Sequence, residues 1–278
     1  MAGESPPGGT VTVRGVEVPR IGLGTWQLTG DAGREAVSHA LELGYRHLDT
    51  AAVYGNEEEV GRAVAESGVA REELWVTTKV SYTDIEPSSL RASAEASLSR
   101  LGLDFVDLLL IHWPGERRHF TSSLAEMVAL REEGLIRELG VSNYPPGLLR
   151  RALEEAPVFC DQVEFHPHLE QPSLLSIAAE HDVLIAAYAP NGSGAVLRDP
   201  VLVEVAEAHG RTPAQVALRW LLDQDRVAVL PRSKSPEHRA ANLDVDFELE
   251  DEERRRIDAA AGQRERLFDP EWAPDWEE

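Results

Sequence analysis

Four short apolar runs, spaced about thirty residues apart, each deliver a polar side chain at their end. Tyr45 to Leu48 leads into Asp49, and Trp75-Val76-Thr77-Thr78 leads into Lys79, 30 residues on. Val106 to Ile111 then leads into His112 after a further 33 residues, and Leu135 to Val141 into Ser142-Asn143 after 30 more. A closed barrel of eight strand–helix units uses roughly 250 residues, about 31 per unit, and carries its functional side chains at the carboxyl ends of the strands. The period therefore predicts a (β/α)8 TIM barrel of the α/β class. Its mouth should gather Asp49, Lys79, His112 and Tyr54, the last in the short loop that follows Asp49.

The remaining segments fit that plan. Thr10 to Val13, Arg14-Gly15 and Val16 to Val18 read as a hairpin with a two-residue turn. The first barrel strand is expected over Arg20 to Leu23, with Gly24-Thr25-Trp26 as its carboxyl-end loop, where glycine lets backbone approach a ligand. Helices are expected over Asp31–Leu43, Glu57–Glu66, Pro87–Leu101, Ser122–Glu133, Pro146–Glu155 and Gln171–His181. Val183 to Ala187 and Val227 to Leu230 supply the last two strands. Between them lie two consecutive helices, Asp199–His209 and Thr212–Leu222, the second with Thr212 as cap and Pro213 at its first position. Further helices are expected over Pro236–Asn242 and Glu250–Ala261. No linker or repeat divides the chain, so one domain over 1–278 is expected, with residues 1–9 as a flexible arm.

Charge and cysteine content narrow the partners. The net charge is −22, and lysine occurs only at Lys79 and Lys234, so 25 of the 27 basic residues are arginine. Nucleic acid and anionic membrane require clustered positive charge, which is missing here. Such self-repulsion is relieved by screening salt, which points to a halophilic protein, with an acidic enzyme of a GC-rich bacterium as the plainer reading. No apolar run approaches the ~18 residues of a membrane span. Met1 to Gly9 lacks the basic and apolar regions of a signal peptide. With one cysteine, Cys160, in an apolar run, a reducing cytoplasm and a buried structural thiol are expected.

Asp49, Lys79 and Tyr54 are the residue types that tune a phenol. Free tyrosine, with a pKa of about 10, exchanges protons poorly at neutral pH. A cation beside it lowers that value, and a carboxylate beside the cation holds the cation charged and in place. Each residue alone has a bland reading: a strand-end ion pair for Asp49 and Lys79, and a satisfied core side chain for His112 beside Trp113-Pro114. Their matched spacing argues for the joint one. No Gly-x-Gly-x-x-Gly follows a first strand, so a Rossmann domain is not expected.

Five motifs, HLDTAAVYGNE, TTKV, LLIHWP, GVSNY and DQVEFHP, in this order and spacing resemble the aldo-keto reductases, in particular bacterial and archaeal diketogluconate-reductase-like aldehyde and ketone reductases. The resemblance runs from Gly22-Leu23-Gly24-Thr25-Trp26 to Asp269-Pro270-Glu271-Trp272. It implies hydride transfer from NADPH, with NADH as the other possibility, to a small-molecule carbonyl. Tyr54 would be the general acid, tuned by Lys79 and Asp49, and His112 would orient the carbonyl. The nicotinamide would be held by Ser142, Asn143 and Gln162, with Tyr188 stacked on it, and Thr25 and Trp26 would join the cofactor contact. The hairpin would close the barrel's bottom. Arg232 and Ser233 would grip the adenosine phosphate with a later arginine. That position holds His238 with Arg239 beside it, so His238, Arg239 and Asn242 complete the expected clamp. Three cations at the start of a helix are an exception on so acidic a chain, and a helix start favours an anion.

Two positions depart from the family's usual pattern: Asp161 stands where Asn is usual, and Pro190-Asn191 where Pro-Leu is more frequent. Trp26, Val53 and Trp113, with Trp272, are expected to wall the substrate, and the tail from Phe268 to Trp276 to fold over the mouth. Arg117, Arg118 and His119 would either select an acidic substrate or be solvated loop cations. Glu164, His166 and His168 are expected to be structural, with no metal site. A monomer is expected. The competing functions are a non-catalytic NADPH-binding regulator on the same barrel and a metal-dependent hydrolase using Asp161, Glu164, His166 and His168.

Overall fold

A computed structural model describes residues 6–260 and 266–277 of the chain. Eight parallel strands form one sheet in sequence order: β3 (Gly22–Gly24), β4 (His47–Asp49), β5 (Trp75–Val80), β6 (Val106–Ile111), β7 (Ile136–Ser142), β8 (Cys160–Glu164), β9 (Leu184–Tyr188) and β10 (Val227–Leu230). The two edges meet through a parallel bridge between Ile21 and Val229. Val229 N donates to Arg20 O (2.7 Å) and Gly24 N to Pro231 O (3.0 Å), so the sheet closes into the expected barrel. A Cβ at Gly24 would stand 3.1 Å from Leu230 O, so a residue without a side chain eases the close approach at the seam.

Helices α1 (Gly30–Glu42), α2 (Glu57–Glu66), α3 (Pro87–Leu101), α4 (Phe120–Glu132), α5 (Pro146–Glu155) and α6 (Pro172–His181) alternate with strands β3 to β9. α7 (Pro200–His209) and α8 (Pro213–Leu222) both precede β10, and α9 (Pro236–Ala241) and α10 (Asp251–Ala260) follow it. Thr212 caps α8 through a reciprocal capping box with Gln215, as its Thr-Pro start predicts. Two apolar layers result. One lies between sheet and helices; the other fills the barrel interior with Trp75, Leu108, Leu110, Phe159, Cys160 and Leu184. The hairpin, β1 (Thr10–Val13) and β2 (Val16–Pro19), presses Val11, Val13 and Val18 onto that interior layer and so floors the barrel. No helix among the described residues is long and apolar enough to cross a membrane.

Several expectations shift. Asp49 and Lys79 lie within β4 and β5 rather than after them, because a polar residue still completes the backbone ladder while its side chain turns inward. The first strand is Gly22–Gly24, and α4 starts at Phe120, directly after a 3-10 turn over Arg117–His119. Of the arm expected over 1–9, residues 1–5 lie outside the described residues. Residues 6–9 form a turn (Gly9 N to Pro6 O, 2.8 Å) tied to the floor by Arg20 N donating to Gly9 O (3.1 Å). Cys160 is buried as expected, and burial pushes its thiol well up.

Candidate active site

Register explains why distant residues converge. Asp49 pairs with Thr77, and Lys79 lies two residues further along β5, on the same inward face. Its flexible stem folds back, so that Nζ donates to Asp49 Oδ1 (2.6 Å) and Thr50 O (2.8 Å), with both side chains buried. A 3-10 turn over Ala52–Tyr54, closed by Gly55 in the left-handed region, sets the Tyr54 ring 5.0 Å from Lys79 Nζ. His112 follows β6 and meets the same ring edge-on at 5.6 Å. The four predicted residues are therefore together.

The loop that holds them is stapled by a residue that carried no assigned role in the sequence. Asn56, fully buried, accepts from Thr50 Oγ1 and donates to Thr25 O and Leu28 O, each at 2.8 Å. It joins the Tyr54 loop to the Trp26 loop. Only its place inside the quoted motif marked it.

The phenol corrects one expectation. Burial raises the Tyr54 pKa above its ordinary value, Lys79 pulls it down, and Asp49 pushes it back up. The net direction is upward rather than the lowering expected from the cation, because the phenolate loses hydration and Lys79 is shared with Asp49. Tyr54 therefore keeps its proton at neutral pH. Burial also works against the Lys79 charge, but Asp49 and Tyr54 outweigh it, and its pKa is raised. Burial, with Lys79 adding to it, depresses His112 to about 3, so its imidazole is neutral. An acid limb in the pH–rate profile between pH ~5 and ~7, the range of an unshifted histidine, should accordingly be absent. Its persistence in wild type and loss in His112→Asn would contradict this assignment.

Around Tyr54 opens a cavity of about 370 Å³, lined by Trp26, Val53, His112, Trp113, Ser142, Asn143, Gln162, Tyr188 and Arg232 among others. Its polar edge is internally bonded. Gln162 Nε2 donates to Asp49 Oδ2 (2.7 Å). Asn143 Nδ2 donates to His112 O and Ser142 Oγ, and Tyr188 OH donates to Asn143 Oδ1 (2.8 Å). Asn143 holds a left-handed conformation (φ 63°) that asparagine tolerates, which turns its amide into the mouth. Ala189 (φ 49°) and Ser193 (φ 47°), in the loop after β9, are strained at about 1–3 kcal/mol each. Thr25 is buried, its hydroxyl donating to Asp49 O.

This donor set fits a nicotinamide carboxamide. One N–H on Gln162 and lone pairs on the Gln162 and Asn143 carbonyls remain beyond the bonds above, matching the carboxamide's acceptor and two donors. The Tyr188 ring is fixed by its hydroxyl, as a stacking face requires.

The predicted phosphate clamp divides in two. Arg232 is exposed, lines the cavity and stands 5.8 Å from the Trp26 ring. Ser233 and His238 lie in the adjacent turn, where Ser233 Oγ accepts from Ser235 N and His238 N donates to Ser235 Oγ. Arg239 and Asn242 are buried below. Arg239 donates to Ser233 O and Lys234 O (3.1 Å each), and its carbonyl accepts from Tyr45 OH (2.9 Å). Sequence adjacency grouped Arg239 with the clamp; helical geometry turns it about 100° from His238, onto the buried side of the helix.

Several cavity residues escaped the sequence reading. Ser193 and Pro231 line it, as does Phe268 from the tail expected over the mouth, and so does Asn191, noted only as a departure, with its Oδ1 buried and without a partner among the described residues. Asp161 alternates with Cys160 and Gln162, so it faces the helix layer. Burial holds its carboxyl well above the carboxylate range, with the Tyr144 backbone N–H working against that rise. A protonated Asp is nearly isosteric with the Asn it replaces, so this departure changes little chemically.

Arg117, Arg118 and His119 do not line the cavity; Arg118 pairs with Glu116 (2.8 Å) in solvent. His166 is bonded to Glu164 (3.0 Å) and His168 to Asp199 (2.9 Å). The tail does cross the mouth: Trp272 stacks on Tyr82 (4.2 Å) and meets Trp113 edge-on (5.1 Å), behind the cavity wall.

Comparison with known proteins bears on the family and the fold. A family model described as "Aldo/keto reductase family" matches residues 20–261. An aldo-keto reductase of Mycolicibacterium smegmatis is 44% identical over 239 residues, covering 84% of this chain and 86% of that protein. A solved structure described as a candidate 2,5-diketo-D-gluconic acid reductase B superposes with a TM-score of 0.93 at 36% identity, over 96% of both chains. An aldo/keto reductase from Brucella melitensis superposes with a TM-score of 0.86 at 38% identity, over 90% of this chain and 98% of that one.

Proposed function

The chain belongs to the aldo-keto reductase family, an oxidoreductase family, and from that premise we propose that it reduces aldehydes or ketones to alcohols with NADPH. The observation that carries the reading is Lys79 Nζ, fixed between Asp49 and Thr50 O under the Tyr54 ring, with neutral His112 against the same ring. When bound, the reduced nicotinamide supplies the hydride. Ser142, Asn143, Gln162 and Tyr188 would hold its ring, and Arg232 with Ser233 the adenosine phosphate.

Tyr54 donates its proton to the carbonyl oxygen, and Lys79 then faces the resulting phenolate. Asp49 and Gln162 keep Lys79 from moving. His112, uncharged, hydrogen-bonds the carbonyl without competing for the proton. A phenol with a raised pKa makes reduction insensitive to pH up to at least ~10, whereas alcohol oxidation, which needs the phenolate, should rise with pH. The wall of Trp26, Val53, Trp113 and Phe268 favours a carbonyl with an apolar body. The diketogluconate named for one structural relative is an acid, and Arg117, Arg118 and His119, the loop cations that would select it, do not line the cavity.

The test is NADPH oxidation across a panel of aromatic, aliphatic and sugar-acid carbonyls, with NADH in parallel and KCl low and high. Binding of NADPH without turnover of any carbonyl would favour the regulatory alternative instead. Salt dependence would address halophilic adaptation, and gel filtration the monomer. For the cofactor, Arg232→Ala should raise the KM for NADPH by about tenfold, the loss of one charge-assisted contact, with that for NADH little changed. Arg239→Ala should instead lower thermal stability, since it removes bonds within the loop.

A further inference from the structure

Glu164 ends β8 facing the mouth, and although charged by nature it is fully buried. Its carboxylate gathers three donors. His166 lies 3.0 Å from Oε1. His166 Nδ1 accepts from the His168 backbone N–H (3.2 Å), so Nε2 carries the proton and donates to Glu164. The other two donors come from more than a hundred residues away. Leu267 N donates to Oε1 (2.8 Å) and Oε2 (3.2 Å), and Phe268 N to Oε2 (3.0 Å).

What those bonds fix is the wall of the cavity. The Phe268 ring meets Trp26 at 5.9 Å and Tyr188 at 5.4 Å, both edge-on. Further along, Trp272 packs on Tyr82 and Trp113, and Arg266 covers the Trp276 ring at 3.5 Å. Ring contacts of this kind are tolerant of sliding, whereas charge-assisted hydrogen bonds set position.

We propose that Glu164 is a positioning residue for substrate: a clasp that seats residues 267–268, and with them Phe268, on the rim of the cavity without itself touching the carbonyl. The kinetic part rests on the carbonyl-reductase reading above. A clasp of this kind acts on how tightly an apolar substrate body is held, so it should act on KM more than on kcat. Glu164→Gln keeps the shape but replaces one acceptor oxygen with a donor that faces the two tail N–H groups. Glu164→Asp keeps the charge but shortens its reach.

The experiment uses the full chain with benzaldehyde and NADPH, in wild type, Glu164→Gln, Glu164→Asp, Phe268→Ala and the double variant Glu164→Gln/Phe268→Ala. Glu164→Gln should raise the benzaldehyde KM by about tenfold, the loss of roughly one such bond, with kcat within about twofold, and Glu164→Asp should fall between it and wild type. In the Phe268→Ala background the same substitution should add less than about twofold, because coupled residues are not additive. Tryptophan emission should shift to the red and become more open to acrylamide as Trp272 and Trp276 loosen. An equal KM effect with and without Phe268 would overturn the proposal, since Glu164 would then act within the barrel alone. Unchanged emission and quenching would overturn it as well. If wild type turns over no carbonyl, the functional reading fails, while the emission arm still decides the clasp.

Discussion

Tyr54→Phe should lower kcat for carbonyl reduction by about 10²- to 10⁴-fold, the span associated with a positioned general acid, while NADPH binding changes little. The substitution removes one oxygen and leaves the ring that His112 and Lys79 pack against. It keeps both members of the buried Lys79–Asp49 pair, so thermal stability should stay close to wild type. The measurements are single-turnover rates, which separate chemistry from product release, and cofactor titration by fluorescence quenching. A variant that turns over at the wild-type rate would show that the proton comes from elsewhere, with His112 the nearest alternative.

Lys79→Met should both abolish turnover and destabilise the protein by about 3–5 kcal/mol, the cost of stranding one partner of a buried ion pair. Asp49 would be left buried with Gln162 as its remaining side-chain donor. The expected fall in Tm is on the order of 10 °C for a chain of this size. Adding Asp49→Asn should restore most of the stability and none of the activity, because the second change removes the stranded charge without returning the cation. If the double variant is no more stable than Lys79→Met, the loss comes from packing rather than from charge. The pH dependence has a definite sign. The folded-state pKa of Lys79 is raised from 10.5, so its contribution is complete below the unfolded value and is lost as pH climbs through the folded one. The stability gap between wild type and Lys79→Met should therefore be constant around neutrality and close only in strong alkali.

The division between chain and fold can be drawn residue by residue. The thirty-residue period was enough to place Asp49, Lys79, His112 and Ser142-Asn143 at one rim, because in a parallel barrel the carboxyl end of every strand opens on the same side. Capping was legible too, as at Thr212, because it depends on residues three apart. Sequence could not assign partners across the barrel. Nothing near Gln162 indicates that its amide steadies Asp49, 113 residues earlier, or that the tail's N–H groups close on Glu164. Arg239 beside His238 reads as a cation for phosphate until the turn of α9 puts it inside.

The direction of the Tyr54 shift belongs to the same class. The sequence supplied the cation, but loss of hydration depends on everything packed around the phenol, and it outweighs the cation. Periodicity and local motifs by themselves determined the barrel and the chemistry gathered at its mouth. Only the tertiary structure decided which polar groups are committed to one another and which are left to meet a ligand. Closure of the sheet brings residues distant in the chain within hydrogen-bonding range, and burial then makes each unpaired group costly.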